Sequence, residues 1–154
     1  TSRVHSLEFR AISAVFGHLG LELDLTICSQ SELQLIKQAI DWHKKFRGLL
    51  HSGDSVRFDC ESASQISHGV YSPDRNEALV SLVQLTERKH GEDAQFLRLP
   101  SLNNDRRYRV AALDSNFVTS HDVGEYTGQQ LSSTGLKLSK LRPETGTIFH
   151  LLSI

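Results

Sequence analysis

Residues 29–50 read SQSELQLIKQAIDWHKKFRGLL, and this stretch decides the fold of the first third of the chain. Ser29, followed three residues later by Glu32, is a capping box, in which each side chain satisfies a backbone N–H at a helix start. Two apolar stripes with helical spacing follow: Leu33, Ile36, Ile40 and His43, and beside them Leu35, Ala39, Trp42, Phe46 and Leu49. A face this wide predicts a helix packed between two partners.

The residues before this helix predict one further helix and a short strand. Ser6 is the predicted N-cap, and Phe9, Ile12, Val15 and Phe16 recur behind it at helical spacing. Gly17 and Gly20 are natural stops for that helix. Leu21–Leu25 reads LELDL, with leucines and carboxylates in strict alternation, so we predict a strand there.

After Ser52-Gly53 the apolar pattern changes to a period of two. It predicts strands at Val56–Cys60, Ile66–Val70, Ala78–Leu85, Phe96–Leu99, Tyr108–Leu113, Leu136–Leu138 and Ile148–Ile154. The third of these is apolar on both faces and is therefore expected at the centre of a sheet, whereas residues 114–134 are polar and are expected to be mostly loop. Short strands separated by polar turns are typical of an antiparallel sandwich, which makes the predicted fold class α+β.

Composition and charge exclude several classes of protein. The 154 residues carry 17 Lys and Arg against 18 Asp and Glu, a formal net charge of −1. Such a chain has no field to attract nucleic acid or an anionic membrane surface, so neither is expected as a partner. The sequence has no apolar run of the roughly 18–20 residues that a spanning helix needs, and no secretory signal pattern. Cys28 and Cys60 are expected to be buried, reduced thiols.

Eight histidines raise the question of a metal site. They are His5, His18, His43, His51, His68, His90, His121 and His150. Zinc sites are normally announced by closely spaced ligand pairs, and no such pair occurs here. His43 and His51 lie eight residues apart at one end of the predicted helix and could converge, although the helix dipole explains His51 equally well. We expect structural roles for the set and no metal.

Two further catalytic patterns are unsupported. Ser52, His51 and Asp54 are adjacent in sequence, and adjacent residues do not orient as a nucleophile, base and orienter must. The glycines Gly124, Gly128 and Gly135 match neither a Walker loop nor a dinucleotide-binding pattern. Nothing in these residues therefore predicts nucleophilic catalysis or a bound phosphate cofactor.

One pair of carboxylates has the character of a glycosidase site. Glu22 and Asp24 share a face of the predicted strand, and glycoside hydrolysis uses paired carboxylates. The alternative is a solvated face of an edge strand. Arg106, Arg107 and Arg109 are interpreted as a solvated turn and strand face, because no series of aromatic residues accompanies them to stack bases.

Several stretches together resemble the family 36 glycoside hydrolases, the α-galactosidases. FGHLGLELDL at 16–25 is similar to a segment near the end of their catalytic barrel, and the helix reaching LLHSGD at 49–54 resembles the last barrel helix. The remaining stretches are TSR at 1–3, LEFR at 7–10, YSPDRNEALV at 71–80, RYRV at 107–110, GLKL at 135–138 and LRPETG at 141–146. The resemblance runs in order over nearly the whole chain.

The resemblance implies a fragment of a longer enzyme: residues 1–52 as the tail of a (β/α)8 barrel and residues 53–154 as a C-terminal antiparallel β-sandwich. The family's retaining mechanism uses a nucleophilic aspartate in a Lys-Trp-Asp context and an acid/base aspartate in a Ser-Asp context, and neither context occurs here. The chain is therefore expected to hold no catalytic, substrate-binding or metal-ligating residue and to need no cofactor.

The same resemblance implies partners and a location. The expected partners are the remainder of the parent chain, the α-galactoside that the parent binds and further copies in a homo-oligomer, and the expected location is cytoplasmic. Two other functions stay open from the residues alone: a non-catalytic carbohydrate-binding module, which would need an exposed platform of aromatic side chains, and a structural β-sandwich with no sugar chemistry.

Overall fold

The computed structural model describes residues 4–87, 95–118 and 120–154. It contains three α-helices and eight strands within these ranges. In chain order they are α1 (Leu7–Ala14), α2 (Gln30–Ser52), β1 (Asp54–Phe58), β2 (Gln65–Tyr71), β3 (Glu77–Gln84), β4 (Phe96–Leu97), β5 (Arg107–Leu113), β6 (Ser120–Thr127), α3 (Gly128–Ser133), β7 (Leu136–Lys137) and β8 (Thr145–Ser153).

The two long helices begin where the sequence predicts. Ser6 caps α1 by accepting a hydrogen bond from the backbone N–H of Phe9 at 3.2 Å. At α2, the N–H of Glu32 donates to the Ser29 hydroxyl at 3.3 Å, and the N–H of Ser29 donates to the Glu32 carboxylate at 2.8 Å. Both predicted caps are confirmed, and α2 ends at Ser52 with Gly53 as its C-cap.

The strands form a six-stranded and a two-stranded antiparallel sheet. The order in the larger sheet is β1-β2-β3-β8-β5-β6, and β4 pairs with β7 in the smaller one. Strand β3 is central, as predicted: it pairs with β2 from Tyr71↔Ala78 to Gln65↔Gln84 and with β8 on its other side.

Each face of the larger sheet is covered by a different layer. On one face, α1 and α2 pack onto β2, β3 and β8, burying Ile12, Trp42, Phe46, Leu79 and Ile148 among others. On the other face, the smaller sheet and α3 cover a second core that contains Tyr71, Leu82, Tyr108, Leu131 and Leu136. The predicted fold class, α+β with a helical first part and an antiparallel second part, is confirmed.

The segment Leu21–Leu25 differs from its prediction. Residues 21–24 are irregular, and Leu25–Ile27 forms a single turn of 3₁₀ helix, so the predicted strand is not formed within the described residues. Alternation supplies only one requirement of a strand. The other is a neighbouring strand that satisfies its backbone N–H and C=O groups, and no strand of the described ranges pairs with this segment.

The prediction of mostly loop at 114–134 is wrong. This region holds β6 and α3, and α3 begins with a capping box formed by Thr127 and Gln130. Strand β6 is an edge strand with a register shift opposite Val110/Ala111, and none of its residues is fully buried. Edge strands are stabilised by their one neighbour and need few apolar side chains, which hides them from a hydrophobic pattern.

The strands predicted at Leu136–Leu138 and Ile148–Ile154 both form, but they lie in different sheets. Strand β7 pairs instead with β4 in the smaller sheet, with Leu97 opposite Leu136, while β8 alone enters the larger one. Gly135 has a φ of +88°, and a Cβ there would lie 2.5 Å from the carbonyl oxygen of Leu97. A glycine is therefore required where the chain turns from α3 into β7 and passes close to the backbone of β4.

Candidate functional site

The structure separates the two carboxylates that the sequence paired. Because no strand forms, Glu22 and Asp24 do not share a strand face, and both are exposed. Asp24 is occupied locally: its carboxylate accepts hydrogen bonds from the hydroxyl of Thr26 at 2.6 Å and from the N–H of Thr26 at 2.9 Å. It is therefore the cap of the 3₁₀ turn.

The electrostatics of Asp24 suit a cap better than a catalytic acid. The side-chain and then the backbone hydrogen bond from Thr26 hold the pKa of Asp24 below its ordinary value. A general acid in glycoside hydrolysis needs the opposite shift, so that its carboxyl group keeps a proton near neutral pH. Asp24 is consequently ionised and engaged at the pH where such an acid must be protonated.

Four clefts in the described ranges differ in the carboxylates on their linings. The largest, about 540 Å³, lies between the two sheets and has Asp114 as its one carboxylate. A cleft of about 410 Å³ beside α2 has only Asp41, and one of about 160 Å³ between α1 and α2 has only Glu22. The fourth, about 420 Å³ beside the second half of α2, has no carboxylate on its lining. None of these four clefts presents two facing acids.

The histidines fall into structural environments. His5 contacts Glu144 at 3.2 Å, His150 contacts Glu77 at 2.8 Å, and His121 lies 4.0 Å from Asp114. The ring of His68 packs edge-on against Phe16 at 4.8 Å between centroids. Within the described ranges, no group of three or more His, Cys, Asp or Glu side chains is placed to hold a metal ion. His90 lies outside those ranges.

Three histidines do come together at the second half of α2. The ring centroids of His43 and His51 are 5.7 Å apart, so the two converge. His18, in the connection after α1, lies 4.7 Å from His51, which the sequence did not predict. The signal that could have found it is the pair Gly17 and Gly20, because two glycines close together favour a turn, and a turn after α1 brings His18 beside α2. The Nδ1 atom of His43 lies 3.0 Å from the carbonyl oxygen of Val15.

The side chains of Ser52, His51 and Asp54 point to different partners. Ser52 donates to the carbonyl oxygen of Gly48 at 2.7 Å, which is a local helix contact. Asp54 accepts a hydrogen bond from the guanidinium of Arg75, and His51 contacts His18. These contacts do not form a relay from Ser52 through His51 to Asp54.

The two cysteines are free and half-buried, whereas full burial was expected. Burial and, next, the charge of Asp59 raise the pKa of Cys60, which leaves its thiol protonated and poorly reactive.

The arginines at the β5 edge are used within the fold. Arg107 and Arg109 both pair with Glu125 on β6, at 2.8 and 3.3 Å. Arg106 donates to the carbonyl oxygen of Asp74 at 2.8 Å and also contacts Asn76. Their charges thus tie β5 to β6 and to the turn between β2 and β3.

The aromatic side chains offer no broad platform for a sugar ring among the described residues. Those of Phe58, Tyr71, Tyr108, Phe117 and Phe149 are buried in the two cores. Phe96 and Tyr126 are half-buried. Stacking of a pyranose requires an aromatic face open to solvent, and five of these seven side chains do not provide one.

No helix of the described ranges is long and apolar enough to cross a membrane.

Comparison with known proteins matches both halves of the chain. A family profile described as glycosyl hydrolase family 36 C-terminal domain matches residues 65–151, and a profile described as melibiase matches residues 1–53. The chain is 31% identical to an α-galactosidase of Escherichia coli over 98% of its own length and 23% of that protein's. It is 30% identical to α-galactosidase AgaA of Geobacillus stearothermophilus over 88% of its length and 17% of that protein's.

The structural comparison agrees with the sequence comparison. The crystal structure of AgaA from G. stearothermophilus superposes on the whole of this chain with a TM-score of 0.84 and 26% identity, and this covers 20% of the AgaA chain. The chain thus spans less than a quarter of the length of these relatives.

Proposed function

Since the chain belongs to glycosyl hydrolase family 36, we propose that it forms the carboxyl-terminal scaffold of a retaining α-galactosidase that hydrolyses terminal α-galactosides of oligosaccharides. The relatives named α-galactosidase support this assignment, and each extends well beyond the matched segment. The two aspartates of the retaining reaction, one attacking the anomeric carbon and the other protonating the leaving oxygen, are then provided by residues outside these 154.

The lining of the clefts is the observation that carries this assignment. A retaining glycosidase holds its two carboxyl groups roughly 5–5.5 Å apart across the scissile bond. Each of the four clefts has at most one carboxylate on its lining. Of the pair suggested by the sequence, Glu22 is exposed and Asp24 caps the 3₁₀ turn. This distribution supports a chain that is inactive alone.

We propose the remainder of the parent chain as the principal partner, meeting residues 1–52. Leu21, Leu25 and Ile27 are 45%, 46% and 79% exposed, an apolar surface beside the cleft between α1 and α2. A barrel strand needs neighbouring strands, so the unpaired segment 21–25 is what a barrel tail without its barrel would show. The end of α2 at Ser52 supports a domain boundary there.

The test is hydrolysis of raffinose by the purified chain. Variants of AgaA have been crystallised with raffinose and with stachyose, which makes raffinose a suitable substrate. We expect no galactose release, with AgaA at equal molarity as the positive control. Turnover by the chain alone would overturn the scaffold assignment. Coding sequence that precedes Thr1 and carries the two aspartate contexts would support it, and an upstream frame without them would contradict it.

Calorimetric titration with galactosides separates the scaffold from a carbohydrate-binding module. A module releases heat on binding, whereas we expect none here because most aromatic side chains are buried. The homo-oligomer and the cytoplasmic location stay predictions.

A further inference from the structure

A cleft of about 420 Å³ beside the second half of α2 has an unusual lining. Three imidazoles and two permanent cations surround it, together with three aliphatic side chains. We call it the imidazole pocket, and its lining residues are His18, Leu19, Leu21, Ile40, His43, Lys44, Arg47 and His51. It adjoins the cleft between α1 and α2, with which it shares Leu19, Leu21 and Ile40.

Several ring nitrogens of these histidines have no hydrogen-bond partner among the described residues. Val15 offers His43 a carbonyl oxygen, which only accepts, so Nδ1 of His43 carries the hydrogen and Nε2 stays free for another partner. His18 and His51 contact each other through their rings at 4.7 Å, and no hydrogen bond joins either ring to another described residue. Three imidazole rings therefore line one cleft.

The charge around the pocket is one-sided. Neither Lys44 nor Arg47 forms an ion pair with a described residue, and no carboxylate lines the cleft. The nearest acid on the same helix, Asp41, is held by Lys37 at 2.7 Å.

Two other acids lie nearby. Glu22 lines the adjoining cleft between α1 and α2, and Asp54 beyond the end of α2 pairs with Arg75. In a chain of net charge −1, the pocket is a local concentration of positive charge, in which Asp41 is the acid that interacts electrostatically with Lys44.

We propose that the imidazole pocket binds a tetrahedral oxyanion, either free or as the phosphoryl group of an ester. Such an anion accepts hydrogen bonds from imidazole, ammonium and guanidinium N–H groups, and these bonds are strong when the donor is charged. The aliphatic wall of Leu19, Leu21 and Ile40 would contact the organic part of an ester. Residues of this chain build the site, and Leu21 of its wall also belongs to the apolar surface proposed to meet the remainder of the parent chain.

The binding has a diagnostic pH dependence. Imidazoles ordinarily titrate near 6.5, and a bound anion favours the imidazolium form. Affinity for the anion therefore rises as the pH falls through that range. A transition metal on the same rings behaves in the opposite way, because protons compete with it. Sulfate keeps the same charge across this range, so any pH dependence of its binding belongs to the protein.

The experiment is calorimetric titration of the folded chain with sodium sulfate, at constant ionic strength set by chloride. We expect binding roughly tenfold tighter at about pH 6 than at about pH 8. The double variant H18Q/H51Q should lose that difference, and Lys44→Gln should weaken binding at both pH values. The control His121→Gln changes an exposed histidine elsewhere and should bind as the original chain does.

Three results would overturn the site: no sulfate-specific heat at about pH 6 from folded protein, sulfate binding that H18Q/H51Q and Lys44→Gln leave unchanged, or displacement by an equal concentration of chloride. Circular dichroism confirms that each variant is folded. His18, Lys44 and His51 are all exposed, so their replacement by glutamine is compatible with the fold. Titration with inorganic phosphate and phenyl phosphate then identifies the source. Equal affinity for the two compounds would identify the free anion as the ligand. Tighter binding of phenyl phosphate would identify a phosphate ester as the ligand.

Discussion

At the scale of single residues, Arg75 connects three segments of the chain. Its guanidinium donates to the Asp54 carboxylate at 2.5 Å, to the carbonyl oxygen of Ser72 at 2.9 Å and to that of Ser101 at 3.2 Å. Its backbone has a φ of +60°, in the left-handed region that costs a side chain about 1–2 kcal/mol. The hydrogen bonds offset this local strain.

We predict that Arg75→Ala lowers the free energy of unfolding by about 1–3 kcal/mol, since three acceptors lose their donor. Arg75→Gly loses the same bonds but relieves the left-handed backbone. The glycine variant should therefore be more stable than the alanine variant by roughly 0.5–1 kcal/mol, after its larger unfolded-state entropy is counted. Urea unfolding measures both values, and an alanine variant as stable as the original chain would contradict the assigned role.

His68 gives a pH prediction at the same scale. Burial lowers the pKa of His68 below its ordinary value of 6.5. The unfolded chain then binds this proton more tightly than the folded chain, so the stabilisation is complete above about pH 6.5 and is lost as the pH falls toward the folded-state pKa. We expect the free energy of unfolding of His68→Gln, measured with urea, to decrease less than that of the original chain as the pH falls through this range. His121→Gln, at an exposed site, serves as the control, and an equal slope in both variants would refute the assignment.

At the scale of elements, α2 depends on its cap. Ser29→Ala removes the capping hydroxyl and should cost about 1 kcal/mol of unfolding free energy. The Ser29 hydroxyl and then its N–H lower the pKa of Glu32, so the contribution of this carboxylate is present above about pH 4.5 and is lost as the pH falls below it. Urea unfolding at neutral and acidic pH checks both statements. A Ser29→Ala variant with the original acid sensitivity would contradict the second.

At the scale of the molecule, residues 1–52 and the sheet share one core. Phe46 of α2 lies 4.9 Å from Trp42 and 5.0 Å from His150 of β8, measured between ring centroids. Although the two halves match different family profiles, α2 buries its apolar face on β2, β3 and β8. They are therefore expected to unfold together.

We predict that Phe46→Ala costs about 3–5 kcal/mol, because it opens a cavity between helix and sheet. Helical circular dichroism and fluorescence of Trp42 should follow one transition in both the original chain and the variant. Leu152→Ala, at a side chain that is 45% exposed, is the control and should change stability little. Two separate transitions would show that the halves fold independently.

The exposed apolar surface at Leu21, Leu25 and Ile27 gives a prediction about assembly. Without its proposed barrel partner, the chain should associate with itself at about tens of micromolar, since burying apolar surface is favourable by roughly 25 cal/mol per Å². Light scattering should show a dimer or larger species, and the double variant Leu21→Ser with Ile27→Ser should shift it toward monomer. Val118→Ser changes an exposed side chain elsewhere and should not. A clean monomer at that concentration would contradict this assignment.

Predictions from the sequence succeeded where a residue's role is settled by near neighbours. The caps at Ser6 and Ser29 and the stripe through Trp42 and Phe46 are local patterns, and all three are observed. The paired acids failed because their shared face required a strand. The cap of α3 at Thr127 was readable by the same rule, although the polar surroundings of β6 concealed it.

The sequence by itself determined the two long helices, the central position of β3, the α+β class and the resemblance to family 36, because periodicity, caps and motifs are properties of contiguous residues. Only the tertiary structure decided that 21–25 forms no strand, that β7 joins β4, that β6 lines the sheet edge and that His18 meets His51. The physical reason is that strand pairing and side-chain clustering depend on partners distant in sequence, which no local pattern specifies.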